Sequence, residues 1–466
     1  MFKDEVIGDN KKILQEDPDL FFDMEKKYNL FSLKTYDDIP LWDIFRPELY
    51  NYIIYKDEIK GKASVSYGKA QMLFVLIKKF AGLYKIINRK KYFFFGVSRF
   101  VNKKGEYFDP YLETIKPLIG NDFLLYETAQ NKPKYKEKGV ADVSTYLLRI
   151  FRPIYYNRVQ KSVDKDLLGQ IISVLQDTYG YEVVTEEILR NIFFKFKVHY
   201  LFYKLIFSVN RFKCVFLHQN GYQKGLIYAA HKSGIPVYEF QHADVIEFNI
   251  VWHYGTIPNY EDIIFPNVFL TYSNFWSDHN NIPGKSVEIG TAIHNIENFE
   301  VISNTVAIIS TKEHEIELNE LTLRLASIYP DTVFEYKLHP AQFNSIDEYK
   351  ILFSKYSNIR VVPVDKTITD LIAEVQHFIV IYSSVIFELL QAKKQVYLYK
   401  RENFWFFRKF FNLPNVSLFD SAEEFYFQYK NASFSSSAPV PEFYVPLRLD
   451  KLKSLLDVEV KNNINN

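Results

Sequence analysis

The 466-residue chain has one cysteine, Cys214, and no excess of either charge, with 57 Lys and Arg against 56 Asp and Glu. A single cysteine excludes a disulfide within the chain and a zinc site built on thiolates. Set in the apolar run Cys214-Val215-Phe216-Leu217, it reads as a small buried hydrophobe. A formal net charge of +1 removes the electrostatic footprint that nucleic-acid binding needs. Long apolar runs are missing too. Met1-Phe2-Lys3-Asp4-Glu5 lacks the apolar core of a secretory signal, and the stretches at 72–77 and 92–97 fall far short of the ~20 residues that span a bilayer. A cytoplasmic protein is expected, with any membrane contact peripheral, on the inner face of the plasma membrane.

Aromatics are abundant, with 42 Phe and 35 Tyr. An AT-rich coding sequence accounts for such a bias; a sugar platform or a membrane-facing surface is the functional alternative. At 48% hydrophobic and 24% charged, the chain is of globular composition, and its length exceeds what one core usually serves. Two domains follow.

Residues 41–46 read as a helix that buries Trp42 and Phe45. Residues 69–91 combine helical apolar spacing with Lys78, Lys79, Lys85, Arg89, Lys90 and Lys91, a domain helix with a solvated basic face or one suited to an anionic membrane surface. From residue 211 strands and helices alternate: a strand at 213–217, a helix at 225–232, and a strand at 237–240 ending on Gln241-His242. Such βαβ units build parallel sheets, whose ligands sit at the carboxyl ends of strands, so His218, Gln241 and His242 fall at the lip of a cleft. A second alternating series runs from 286–289 onward, with strands at 305–309, 333–338, 359–364, 378–382 and 395–399. The expected fold class is α/β: two Rossmann-like domains with parallel sheets facing across a cleft, residues 1–285 and 286–440, with a helix and tail at 441–466 packing back.

Two motifs carry chemistry. Tyr382-Ser383-Ser384 ends a strand just before a helix, so two hydroxyls join the first helical amides in an anion site. Glu388, one turn beyond Ser384, suits a ribose diol or a support for the loop. Lys337-Leu338-His339-Pro340 ends a neighbouring strand. There His339 is placed to donate to a leaving phosphate, Pro340 fixes the turn, and Lys337 shares the strand face of His339.

Lys-Leu-His-Pro followed about forty residues later by Tyr-Ser-Ser-Val-x-x-Glu resembles the C-terminal half of GT-B-fold bacterial glycosyltransferases. The similar families are sialyltransferases and polysialyltransferases, capsule Kdo transferases and CDP-glycerol glycerophosphotransferases. The resemblance implies that the His-Pro and Ser-Ser pairs hold the nucleotide and phosphate of a cytidine-activated donor. Glu239-Phe240-Gln241-His242 looks like the Glu-x-Gln-His-Gly segment of capsule and O-antigen transferases, with Ala243 replacing the Gly. Trp252-His253-Tyr254-Gly255 and the run at 265–270 also look like that group, and the likeness covers roughly 211–420.

Inverting transfer needs a base for the acceptor hydroxyl. The candidates are Asp109, in a Gly-containing loop near Arg99; Glu127, at the end of a strand; and His242, which also suits donor binding alongside Gln241. Asp17-Pro18-Asp19 and Asp164-Lys165-Asp166 have the spacing of metal-dependent transferases but follow no apolar strand, so no metal and no cofactor are expected. The reading is an inverting, metal-independent glycosyltransferase. Its donor is a nucleotide-sugar, a CMP-activated acid sugar favoured, and its acceptor a polysaccharide or lipid-linked oligosaccharide. The alternatives are a nucleotide-sugar 2-epimerase and a non-catalytic component of a polysaccharide assembly complex.

Overall fold

The computed structural model describes residues 18–54, 90–96, 100–101, 104–127, 136–137, 139–141, 143–292, 304–402, 404–431 and 440–464. Most of the basic helix expected at 69–91, together with Ser98, Arg99, Asp17 and the Ser run at 433–437, lies outside the described residues. The chain divides into two compact units, residues 1–289 with 447–466, and residues 290–446.

The first unit is built on strands β1 (Tyr92–Gly96), β4 (Phe123–Glu127), β5 (Val140–Ala141), β6 (Cys214–Leu217), β7 (Val237–Phe240), β8 (Val268–Thr271) and β9 (Lys285–Glu288). They form one parallel sheet in the order β5-β4-β1-β6-β7-β8-β9; β2 (Phe100–Val101) and β3 (Tyr107–Phe108) make a separate antiparallel pair. Parallel strands are covered on both faces, hence their continuous apolar text. Phe93, Phe95, Tyr126, Val215 and Val237 enter a core with the helices Leu41–Ile54 and Glu186–Val209. Phe94, Phe216 and Phe240 point to the other face, where Tyr111 of the helix Pro110–Ile119 stacks 5.5 Å from Phe240. The sheet grows outward in both directions from the β1–β6 pair, so the loops leaving these strands diverge and open a crevice.

Two buried ion pairs join the N-terminal helices to each other and to the helix Lys224–Lys232, and the same groups bond to the loop after β7. Arg46 meets Glu25, which also accepts from Trp42 Nε1 at 2.7 Å, while Arg46 Nη2 donates to His253 O at 3.1 Å. Lys224 Nζ lies 2.7 Å from Asp43 Oδ2, and Tyr254 Oη donates to Asp43 Oδ1 at 2.8 Å. The helix Leu449–Ile464 belongs to this unit: Arg448 and Lys451 hold Glu288 Oε1 at 2.9 and 3.2 Å.

The second unit contains β10 (Thr305–Ile309), β11 (Val333–Lys337), β12 (Ile359–Val361), β13 (His377–Val380), β14 (Gln395–Tyr399) and β15 (Val416–Phe419). Their order is β12-β11-β10-β13-β14-β15, all parallel. This is the doubly wound Rossmann order, with its switch point between β10 and β13. Val306, Ile308, Tyr336, Ile379 and Tyr397 pack against Leu318, Leu321 and Leu325 of the helix Glu315–Ile328.

The fold class is therefore α/β with two Rossmann-like units, GT-B-like as expected. One local reading differs. The strand expected at 286–289 to open the second series is Lys285–Glu288, which pairs with β8 and extends the first sheet. The aromatic run Phe404–Phe410 is a 3-10 segment kinked at Phe407, with Phe407 and Phe410 buried against Phe387. Among the described residues no helix is long and apolar enough to cross a membrane.

Candidate active site

In the first unit, polar side chains gather where β1, β4, β6, β7 and β8 end. Asp109 caps the helix Pro110–Ile119: its Oδ1 accepts from Tyr111 N at 2.9 Å and Leu112 N at 3.2 Å. Its Oδ2 lies 2.9 Å from His218 Nε2, both side chains being buried. Gly96, at the end of β1, makes room for this pair. A Cβ there would stand 3.3 Å from Asp109 Oδ2 and 2.8 Å from Leu125 Cδ1. Tyr111 stacks 5.1 Å from the His218 ring and shares a 2.8 Å hydrogen bond with the hydroxyl of Tyr272.

His218 follows β6 directly, so the Asp109–His218 pair stands at the switch point of this sheet. A carboxylate only accepts, so Nε2 donates and the ring presents Nδ1 as its basic nitrogen. His242, half-buried, lies 5.7 Å from the His218 ring and 5.1 Å from Trp252. Glu127 is buried in register with Gly96 on the neighbouring strand. Gln241 is occupied by the sheet edge itself: Oε1 accepts from Tyr272 N at 2.9 Å and Nε2 donates to Ala243 O at 3.2 Å.

Glu239, inside the Glu239-Phe240-Gln241-His242 motif, is fully buried. Its Oε1 accepts from Asn220 N and Trp252 Nε1, each at 3.0 Å, and its Oε2 from Asn220 Nδ2 at 2.7 Å. Burial pushes its carboxyl up to about 7 in spite of these bonds. His218 was placed at the strand end by the sequence, but its partner was not; the signal was a histidine at the end of an apolar strand in a βαβ unit.

In the second unit, His339 ends β11 and caps the turn Pro340–Ser345. Its Nδ1 accepts from Ala341 N at 3.2 Å, while its own N–H donates to Gln342 Oε1 at 2.9 Å. An imidazole accepting at Nδ1 carries its proton on Nε2, so the exposed ring is a donor toward solvent. Pro340 opens the turn as its first residue. Lys337 Nζ donates to Pro363 O at 3.5 Å and to Lys366 O, and burial lowers its pKa. Lys337 is thus taken up by the loop after β12.

Ser383 Oγ accepts from Val385 N at 3.4 Å. Ser384 stands at the cap of the helix Val385–Gln391 without a side-chain capping bond and is exposed. This helix is only seven residues long, so its hydroxyls count for more than its dipole. Glu388 lies in it, partly buried, one turn from Ser384. Tyr382 stacks 4.8 Å from Phe406, itself stacked 4.3 Å from Trp405, beside the two serines.

Among the described residues no group of three His, Cys, Asp or Glu is arranged to hold a metal ion. Asp164, singled out by spacing, is a helix cap that accepts from Asp166 N at 2.9 Å and Tyr36 Oη at 2.8 Å.

Two doubly wound parallel units in one chain, each with polar side chains at its switch point, define an α/β protein of GT-B-like composition. No protein-family model matches the chain, and no curated protein matches it. Solved structures that it is similar to include the UDP-GlcNAc 2-epimerase from Neisseria meningitidis bound to UDP-GlcNAc, at 14% identity over 80% of this chain and 99% of that one, TM-score 0.42. The Methanocaldococcus jannaschii UDP-GlcNAc 2-epimerase in complex with UDP-GlcNAc and UDP is 10% identical over 79% and 99%, TM-score 0.42. Acinetobacter baumannii MurG is 12% identical over 73% and 91%, TM-score 0.39.

Proposed function

We propose that the protein is an inverting glycosyltransferase that moves a sugar from a nucleotide-sugar to a hydroxyl acceptor. The observation that carries this reading is the Asp109–His218 pair at the switch point of the first sheet. In it Asp109 fixes the ring and would stabilise the imidazolium formed when the acceptor hydroxyl gives up its proton. Asp109 is then the positioning residue rather than the base, and His242 is the more exposed ring beside the pair. In the second unit, His339 Nε2–H and the hydroxyls of Ser383 and Ser384 donate to the phosphate of the leaving nucleotide, stabilising charge as it develops.

The finer assignment rests on the motif resemblance. It favours an enzyme on the cytoplasmic side of the plasma membrane that extends a capsular or lipopolysaccharide chain, its activity independent of a divalent cation. A 2-epimerase is the second reading, because two carboxylates lie near the end of β1: Glu127 is in register with Gly96, and Asp109 Oδ2 is 3.3 Å from where a Gly96 Cβ would stand. The deciding experiment incubates the full chain with nucleotide-sugars, with and without oligosaccharide acceptors, in the presence of EDTA. Release of nucleotide that requires acceptor and is lost in His218→Asn supports the transferase. Turnover without acceptor supports the epimerase. Absence of any nucleotide binding sinks both and leaves a non-catalytic assembly component.

A further inference from the structure

Glu239 is an acid where the strand pattern calls for an apolar residue. It shares its face of β7 with Val237, which belongs to the core under the helices. Its three donors, Asn220 N, Asn220 Nδ2 and Trp252 Nε1, are all neutral. Lys224, the cation of the helix Lys224–Lys232, is already engaged by Asp43 and by Ile264 O at 2.8 Å. A carboxyl buried without a cation costs stability that a leucine would not, so stability does not account for it.

Its place in the sheet does. Glu239 is in register with Leu217, the last residue of β6. His218 comes next in the chain, and Asn220 opens the short turn Asn220–Tyr222 two residues later. Trp252 belongs to the loop after β7. Its indole stands edge-on to the His242 ring, with centroids 5.1 Å apart and planes at 69°, and lies 6.0 Å from Phe269 of β8. One carboxyl group therefore ties the turn that follows His218 to the tryptophan beside His242, and the two imidazoles stand 5.7 Å apart.

We infer that Glu239 is a positioning residue for the transfer reaction: through Asn220 it fixes the turn after His218, through Trp252 it fixes the indole beside His242, and so it sets the spacing of the two imidazoles. The inference rests on the transferase reading above. Glu239 acts here as an acceptor of hydrogen bonds and not as a charge. A glutamine at this position does the same work, since its Oε1 accepts from Asn220 N and Trp252 Nε1. Its Nε2 then donates to Asn220 Oδ1 once that amide turns over, an atom that is buried without a partner among the described residues.

The test compares Trp252→Phe, Asn220→Ala and Glu239→Gln with the parent in acceptor-dependent kcat and in KM for the nucleotide-sugar, below the melting temperature of each. Trp252→Phe keeps a ring against His242 and removes the Nε1 donor. It and Asn220→Ala should each lower kcat about ten- to a hundredfold. KM for the nucleotide-sugar should not move, because the reading above has the second unit hold the donor. Glu239→Gln should keep kcat within about threefold of the parent. An unchanged kcat in either Trp252→Phe or Asn220→Ala overturns the inference. So does a fall in kcat accompanied by an equal rise in KM, the mark of a general loosening. A Glu239→Gln variant as slow as the other two overturns it as well, since charge would then be what matters. In each of these cases an active parent leaves the transferase reading standing. A parent without acceptor-dependent turnover overturns both.

Discussion

Asp109 and His218, 109 residues apart in the chain, meet at 2.9 Å where the first sheet changes winding direction. Asp109 serves two neighbours at once, its helix through Oδ1 and the imidazole through Oδ2. Asp109→Asn keeps an oxygen for the helix amides but removes the charge that orients and stabilises the ring. Acceptor-dependent turnover should fall about 10²- to 10⁴-fold with little change in melting temperature. Asp109→Ala should lose the same activity and, in addition, about 1 kcal/mol of stability with the cap. Parallel measurement of kcat and thermal unfolding checks this; an active Asp109→Asn would rule out the pair as the acid–base centre.

His339 also has two roles, which substitution can separate. His339→Asn retains a side-chain acceptor for Ala341 N but lacks the outward Nε2 donor. It should therefore keep the stability of the parent while losing about tenfold in nucleotide affinity. His339→Ala should lose both. Titration of nucleotide into the two variants, with melting curves, distinguishes a ligand contact from a turn cap.

Glu239 makes stability depend on pH in a definite direction. Burial raises its carboxyl from the ordinary 4.5 to about 7, so the folded state holds a proton that the unfolded chain releases. Its stabilising contribution is complete below pH 4.5 and is lost as pH rises toward 7, by up to about 3 kcal/mol. His199 and His377 work in the opposite sense, since burial lowers both from 6.5 to about 4. Their contribution is present above pH 6.5 and is lost as pH falls toward 4. The wild type should thus have a partly compensated profile. Glu239→Gln should gain stability relative to it between pH 4.5 and 7, as read by urea unfolding; a flat difference curve over that window would refute the assignment.

At Gly225 the helix Lys224–Lys232 packs tightly on the helix Glu186–Val209. A Cβ there would stand 2.7 Å from His199 Cβ and 2.9 Å from both Phe196 O and Tyr200 N. Backbone cannot step aside as a flexible side chain does. Gly225→Ala should cost about 2 kcal/mol or more in spite of the better helix propensity of alanine, measurable as a lowered urea midpoint.

Strand ends were legible because parallel strands, covered on both faces, appear as short apolar runs, and the first polar residue after each run marks the carboxyl edge. The same rule marks His218, Gln241, His242, His339 and Ser383. What meets across the sheet was not legible. Nothing local announces that Asp109 faces His218, that Gln241 and Lys337 are taken up by backbone, or that Glu239 is wholly enclosed. The strand Lys285–Glu288 was assigned to the wrong series because a parallel strand does not reveal which edge it will join.

The return of the helix Leu449–Ile464 to the first unit makes the second unit an insertion. Its two ends lie side by side, with Thr291 N bonded to Val445 O at 2.9 Å and Thr291 bridged to Pro446. During synthesis the inserted unit is complete once residue 446 has emerged. The unit that begins first must wait longer for Arg448 and Lys451 to neutralise Glu288. The part translated earliest is therefore the last to be finished, and the inserted unit can fold as an independent body before its host has closed.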